Sequence, residues 1–300
     1  MGYLSQKKKQ TNIKEFLNIS TGVIFFCCCA ILFFEKTAIS TQISHWLFQI
    51  YFYTLFLAIY AFMTRFFWQG AGLIFCASIL FFNIGMGGNL FSDIKTKGTQ
   101  ELTIFYQTDT VYSKHSLKQA YKHKADIAAV LKDSKGDIRT QPLAMFHLHK
   151  KDGGIILTPH SFQRSGEVLL SPNSRAAFVD LTVQMTRMVF VALDFSKISL
   201  AEQKTSLRNL AEFINMQDVP VIVVGSFGQE VWSADFLDFL EKTKLEVKNK
   251  IILSDGKQWF NPFKIPTINI LAYKDFGIEE MYFLPAKKKD THPLVIKLNY

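Results

Sequence analysis

Charged residues are absent from Phe16 to Phe34, from Ile43 to Met63 and from Phe66 to Phe91. Each run is close to the ~20 apolar residues that cross a hydrocarbon core of ~30 Å as a helix. The pattern predicts a membrane anchor over residues 1–97 with three transmembrane helices, at about 16–34, 43–63 and 66–91. Only Thr64 and Arg65 separate the second run from the third, which predicts a tight helical hairpin. The first run is longer than a signal-peptide core and no A-x-A site follows it. Lys7, Lys8, Lys9 and Lys14 precede it, and basic flanks stay on the cytoplasmic side. Three spans then carry the remainder across. The expected location is the bacterial inner membrane, with the C-terminal domain periplasmic or otherwise extracytoplasmic.

From about Gly98 the pattern changes to short apolar runs broken by polar turns. Residues 98–300 read as one domain, with strands at Leu102–Tyr106, Asp126–Leu131, Leu143–Leu148, Gly154–Thr158, Ala176–Val183 and Met188–Leu193. Further strands are predicted at Val219–Val224, Val247–Leu253, Thr267–Ala272, Met281–Leu284 and Leu294–Leu298. Ser199 and Glu202 have capping-box spacing, and Leu207, Leu210, Ala211 and Ile214 follow as a stripe at helical period, which predicts a helix over Ala201–Met216. Ser233 starts a second helix that runs to about Lys242. Many strands with few helices predict an α+β fold, a two-sheet β-sandwich flanked by helices.

Charge changes this picture little. The net charge is +9, but residues 1–100 hold eight of the 34 basic residues and three of the 25 acidic ones. The domain is thus only mildly basic and carries no strong nucleic-acid signal. The membrane, partners in a membrane-protein complex, or an anionic ligand fit better. The four cysteines, Cys27, Cys28, Cys29 and Cys76, lie inside apolar runs and offer neither a disulfide framework nor a CxxC metal site.

The segment from Val219 to Phe236, Val-Pro-Val-Ile-Val-Val-Gly-Ser-Phe-Gly-Gln-Glu-Val-Trp-Ser-Ala-Asp-Phe, resembles the strand-and-turn signature of the endonuclease/exonuclease/phosphatase superfamily. There an apolar strand ends in Gly-Asp-Phe-Asn, often followed by Pro-Trp-Ser and a helix. Gly225, Phe227, Trp232 and Ser233 match, but Ser226 replaces the Asp and Gly228 the Asn. Other segments follow in family order. Leu102–Thr108 resembles the first strand, with Gln107 or Thr108 at its metal-site Asn. Asp126 to Lys132 resembles Asp-Ile-Val-Ala-Leu-Gln-Glu, with Lys132 at the metal-binding Glu. Ile155–His160 resembles the strand that runs into Ser-Arg. Arg187–Phe195 resembles the strand that delivers an Asn-x-His turn, with Asp194 and Phe195 in its place. Ile278–Leu284 resembles the Ile-Asp-(Tyr/His) strand, with Glu279 and Glu280 at the Asp. Asp290 to Ile296 resembles the closing Ser-Asp-His strand, with Thr291 at the Asp and His292 retained.

The resemblance implies a phosphoesterase fold over residues 100–300, and family members hydrolyse phosphoesters with a carboxylate-held Mg²⁺. The substitutions imply the loss of that chemistry. Ser226 is no charged base, Gly228 has no side-chain donor, and Lys132 puts a cation at the metal position. At about 4 Å and an effective dielectric near 20, such a cation repels a divalent ion by ~8 kcal/mol. A pseudoenzyme is therefore expected, a membrane-anchored binding or scaffold module with no catalytic residue assigned and no cofactor. Lys132 and His292 are its candidate contacts to a phosphate or other anionic group. Two alternatives stay open. One is an active divalent-metal-dependent phosphoesterase rebuilt on Asp109, Asp194, Glu230, Glu279, Glu280, Asp290 and His292, which would use Mg²⁺. The other is a membrane-complex subunit whose domain only resembles this fold. His147, His149 and His160 are expected not to form a metal site. Lys287 to Lys289 is expected to be a solvated loop.

Overall fold

The computed structural model describes residues 2–33, 43, 46–87, 100–108, 113–131, 147–151, 154–196, 198–228, 231–248, 268–284 and 293–300. It divides into two compact units. One comprises Met1–Phe91, Glu230–Leu237 and Asn261–Lys264, and the other Ser92–Gln229, Asp238–Phe260 and Ile265–Tyr300.

The apolar runs of the first unit form α1 (Gly2–Phe33), α2 (Leu47–Met63) and α3 (Phe67–Gly87). Leu17, Ile24 and Cys28 of α1, Leu57 and Ala61 of α2, and Leu73, Cys76 and Leu80 of α3 are buried among them. Between α1 and α3, Gln69 Nε2 donates to Asn18 Oδ1 at 3.2 Å and Cys28 Sγ lies 3.9 Å from the Cys76 carbonyl. Phe26, Phe56, Phe75 and Phe82 point outward and are exposed. The predicted hairpin forms: Arg65 takes φ 67°, and the Phe66 N–H closes the end of α2 on Ala61 O at 2.8 Å.

The expected three spans are corrected to two. Thr11–Leu32 in α1 and Phe67–Ile84 in α3, 22 and 18 residues, are long and apolar enough to cross a membrane, whereas the apolar part of α2 is Gln49–Met63. At 1.5 Å per residue that part reaches only about 22 Å, short of a hydrocarbon core.

In the second unit, β1 (Glu101–Gln107), β2 (Ile127–Leu131), β3 (His147–Lys151), β4 (Gly154–Thr158), β11 (Gly277–Phe283) and β12 (Leu294–Asn299) form one six-stranded sheet in the order β11-β12-β1-β2-β4-β3. The strands β5 (Phe162–Ser171), β6 (Ser174–Val183), β7 (Thr186–Asp194), β8 (Val221–Ser226), β9 (Glu246–Val247) and β10 (Ile268–Ala272) form the other, in the order β5-β6-β7-β8-β10-β9. The pairs β1–β2 and β7–β8 are parallel. Helix α4 (Ser113–Lys122) makes the first crossover and α5 (Leu200–Asn215) the second, and α6 (Ala234–Thr243) follows β8.

Alternate residues of facing strands build the core. Ile104, Tyr106, Ile127, Ala129 and Ile296 from the first sheet meet Val179, Met188, Phe190, Ile222 and Ile270 from the second. The residues between them in sequence, such as Phe105, Ala128 and Val130, face the other way and are covered by Ala120 of α4. Fully burying each such large side chain is worth about 1.5–3 kcal/mol, so these two layers hold the sandwich together. The predicted capping box is present at α5, where Ser199 and Glu202 exchange side-chain-to-backbone hydrogen bonds.

Strand β5 and helix α4 have no counterpart in the hydrophobic pattern. Strand β5 is an edge strand whose Gln163-Arg-Ser-Gly-Glu167 stretch breaks the apolar alternation. Part of its register is held by charge: Arg164 Nε and Arg187 Nη2 reach the fully buried Asp180 Oδ2 at 2.9 and 2.8 Å. Helix α4 carries too few apolar residues to announce itself. Predicted strand residues 143–146 and 249–253 lie outside the described residues.

Candidate functional site

The C-terminal ends of β1, β7 and β8 meet at one end of the sandwich, and one side chain joins them. The fully buried Tyr106 hydroxyl donates to Leu193 O at 2.7 Å and accepts the Ser226 N–H at 3.3 Å, bridging the two sheets. Gln107 and Thr108, next along the chain, are also buried. The parallel register sets Asp194 beside Ser226, and the Phe195 N–H donates to Ser226 O at 2.7 Å. On the far side of β8, β10 begins with Ile268 opposite Ser226. Strand β12 begins with Leu294 opposite Tyr106. The structure thus brings Asp194, Ser226 and Gly228 together with Gln107 and Thr108.

Their chemistry is weak. Asp194 is half-buried and its Oδ1 accepts the Ser196 N–H at 2.9 Å, which closes the turn out of β7. Ser226 is 3% exposed, and its hydroxyl has no hydrogen-bond partner among the described residues. Gly228 has φ +64°, and a β-carbon added there sits 2.7 Å from the Phe195 carbonyl oxygen and closer still to Gln203 Nε2. Gln203, from α5, donates from Nε2 to Phe195 O at 3.3 Å and Ile198 O at 3.2 Å, filling the space beneath the turn. Phe195 and Phe227, both fully buried, pack edge to face at 6.1 Å. Among the described residues, the turn out of β8 packs against Phe195 and Gln203.

Two sequence placements are corrected. Glu279 and Glu280 do not reach this end: β11 sets Glu280 opposite Lys297, which itself pairs with Thr103, three residues down the strand from Tyr106. Glu280 is engaged there by Lys297 Nζ at 2.6 Å. The strand that starts beside Ser226 is β10, whose second residue is the buried Asn269, paired with Gly225. Asn269, not Glu279 or Glu280, is the polar residue this sheet offers next to β8, and its Ile-Asn-Ile context was the signal in the sequence. The histidines are also remote. His160 Nε2 contacts Asp126 Oδ1 at 2.9 Å, where Asp126 Oδ2 accepts the Thr103 N–H, at the opposite end of β1. His147 and His149 lie on the edge strand β3, opposite Thr158 and Ile156. Among the described residues no three His, Cys, Asp or Glu side chains form a group able to hold a metal ion. Lys132, Thr291, His292, Asp109, Glu230, Asp290 and Lys287–Lys289 lie outside the described residues.

Mg²⁺ asks for near-octahedral oxygen ligation with one or two carboxylates. Of the residues assembled here only Asp194 is a carboxylate, and it caps its own turn. The end of β8 supplies a buried hydroxyl and a glycine. By themselves, the described residues at this end do not supply that ligand set.

No protein-family model matches the sequence, and no curated protein matches it. Solved structures do match. An endonuclease/exonuclease/phosphatase family protein from Bacteroides thetaiotaomicron is 11% identical, with 66% of this chain and 98% of that chain covered and a TM-score of 0.50. An endonuclease/exonuclease/phosphatase from Beutenbergia cavernae is 14% identical over 67% and 72%, with a TM-score of 0.51. The human Nocturnin catalytic domain with bound sulfate anion is 15% identical over 68% and 95%, with a TM-score of 0.52. Two sheets in this order, with parallel pairs meeting at one end, give the C-terminal part of the chain the endonuclease/exonuclease/phosphatase fold.

Proposed function

We propose that this chain is a membrane-anchored binding or scaffold module built on a phosphoesterase fold that no longer hydrolyses phosphoesters. The observation that carries the reading is the end of β8. Ser226 is buried and uncharged, and Gly228 occupies a left-handed turn with Gln203 and Phe195 where a side chain would stand. Loss of a residue type leaves an enzyme impaired, whereas here the space for the residue is filled as well. Two helices long and apolar enough to cross a membrane support anchoring. With the basic N-terminal flank cytoplasmic, two spans return the domain to the cytoplasmic side, whereas the extracytoplasmic placement required three. The ligand we assign to the site end is an anionic group, with Lys132 and His292 as its contacts.

Metal binding and turnover in the full chain test this reading. In detergent, titration calorimetry with Mn²⁺ should give no binding heat, and bis-p-nitrophenyl phosphate should not be hydrolysed above the buffer rate. Chelator-sensitive hydrolysis would overturn it and direct attention to Asp109, Glu230 and Asp290. Inorganic phosphate should bind, and Lys132→Ala should abolish that binding. Resistance to carbonate extraction tests the anchor.

A further inference from the structure

Helix α4 is not explained by the fold alone. Residues 113–124 hold four lysines, two histidines and no acidic residue. By contrast, α5 balances Glu202 and Glu212 with Lys204 and Arg208, and α6 carries Asp235, Asp238 and Glu241 against one lysine. The domain is only mildly basic, yet this covering helix carries no acidic residue to balance its lysines.

The geometry gives that charge a direction. Ser116 and Ala120, one turn apart, are buried against the first sheet at 1% and 2% exposure. At 100° per residue, Lys118 and Lys122 fall on the opposite side, with Tyr121 beside them. All three are exposed, as is Lys124 in the turn that follows, and Tyr121 keeps 55% of its surface. Lys118, Lys122 and Lys124 form no ion pair among the described residues. Of the carboxylates on this sheet, Glu280 is engaged by Lys297 and Asp126 by His160. His123 is turned inward to the Tyr282 hydroxyl, 3.2 Å from its Nδ1. The result is a convex strip of three ammonium groups, without carboxylate partners among the described residues, around an exposed tyrosine and facing away from the core.

We propose that this face of α4 docks on an anionic lipid surface. Lysines with an amphipathic aromatic ring are the chemistry of a headgroup layer, where each cation gains from the negative surface potential and the tyrosine sits at the boundary. Lysine presents a point charge without the planar fork that reads a specific phosphate, which suits a diffuse surface over a defined ligand. The inference rests on the anchored reading above, because a tether keeps the domain at bilayer distance.

The test uses the full chain with its four cysteines replaced by alanine and an NBD label on Tyr121→Cys, in nanodiscs of phosphatidylcholine alone or with about 30% phosphatidylserine. The label should brighten about twofold or more and shift to the blue only with the anionic lipid, and about 0.5 M NaCl should reverse the change. Combined Lys118→Glu, Lys122→Glu and Lys124→Glu should abolish it. Hydrogen exchange of the unlabelled wild type in the same discs supplies a second readout, with residues 113–124 slowed only by phosphatidylserine. Equal responses in both lipids, or a response that survives the triple reversal, would overturn the proposal. So would a label that answers to duplex DNA or RNA instead of lipid. A chain that stays outside bilayers would refute the anchor, while flotation with phosphatidylserine vesicles would still read the α4 contact.

Discussion

Restoring the side chain that the fold resemblance implies at position 228 should damage the protein rather than repair it. Gly228 sits at φ +64°, and an added β-carbon stands 2.7 Å from the Phe195 carbonyl oxygen. Asparagine tolerates the left-handed region better than most residues, yet the conformation still costs about 1 kcal/mol. Its β-carbon also displaces the Gln203 amide, which then loses its bonds to Phe195 O and Ile198 O. Each is worth about 1 kcal/mol net. Together Gly228→Asn should lose about 3 kcal/mol, and for a domain of this size that lowers Tm by roughly 6–12 °C. Thermal unfolding followed by circular dichroism and by calorimetry reads this directly. Gly228→Ala should be at least as harmful, since alanine lacks asparagine's tolerance of positive φ. A Gly228→Asn variant with wild-type Tm and newly acquired Mn²⁺ affinity would refute the reasoning, because it would show a site still shaped for the missing residue.

Tyr106→Phe removes the bridge between the sheets and should cost about 1–2 kcal/mol in urea unfolding, with the midpoint moving and the slope unchanged. Burial pushes the Asp180 carboxyl up, but hydrogen bonds from Arg187 and Arg164 and their charges outweigh this and hold it below its usual range. A depressed pKa contributes stability that is fully present above the unfolded value of about 3.9 and is lost as pH falls through the folded value. Asp180→Asn should therefore cost about 1–3 kcal/mol at neutral pH, and its gap from wild type should narrow below about pH 4. Ser199→Ala removes the α5 capping box and should cost about 1 kcal/mol, seen as a lower Tm.

Much of the sandwich was legible in the sequence because its strands bury one face or both, and alternating or continuous apolar residues report that directly. Strand β5 was hidden because an edge strand pairs on one side only and fills its exposed face with Gln163, Arg164 and Glu167. The second predicted span failed on length, since the apolar part of α2 is only Gln49–Met63. The site was legible in part. The structure gives a reason for Gly225, where any side chain would strike Leu193. The error over Glu279 and Glu280 has a different origin. Two strands near the C-terminus each carry an isoleucine followed by a polar residue, and only pairing partners distinguish them. Pairing is a long-range property that no local pattern encodes.

On the proposed reading, the same partition of roles would let the fold persist without the chemistry. Stability lies between the sheets, in the layer from Ile104 to Ile296 and from Val179 to Ile270, and its last rung is the Tyr106 hydroxyl. Among the described residues, Asp194, Ser226 and Gly228 lie beyond the layer that forms the core. A reacting Asp at Ser226 would need a charge stabilised in a nearly water-free place, and without a metal such a charge is costly. Once the metal is gone, a neutral serine relieves that cost, and a glycine lets Gln203 and the Phe195–Phe227 pair close the space. A site that merely decayed would leave polar groups facing an open cleft, whereas Ser226, Gln203 and Gly228 form a packed turn. On the proposed reading, contacts to partners and lipid would then be supplied by other surfaces such as α4.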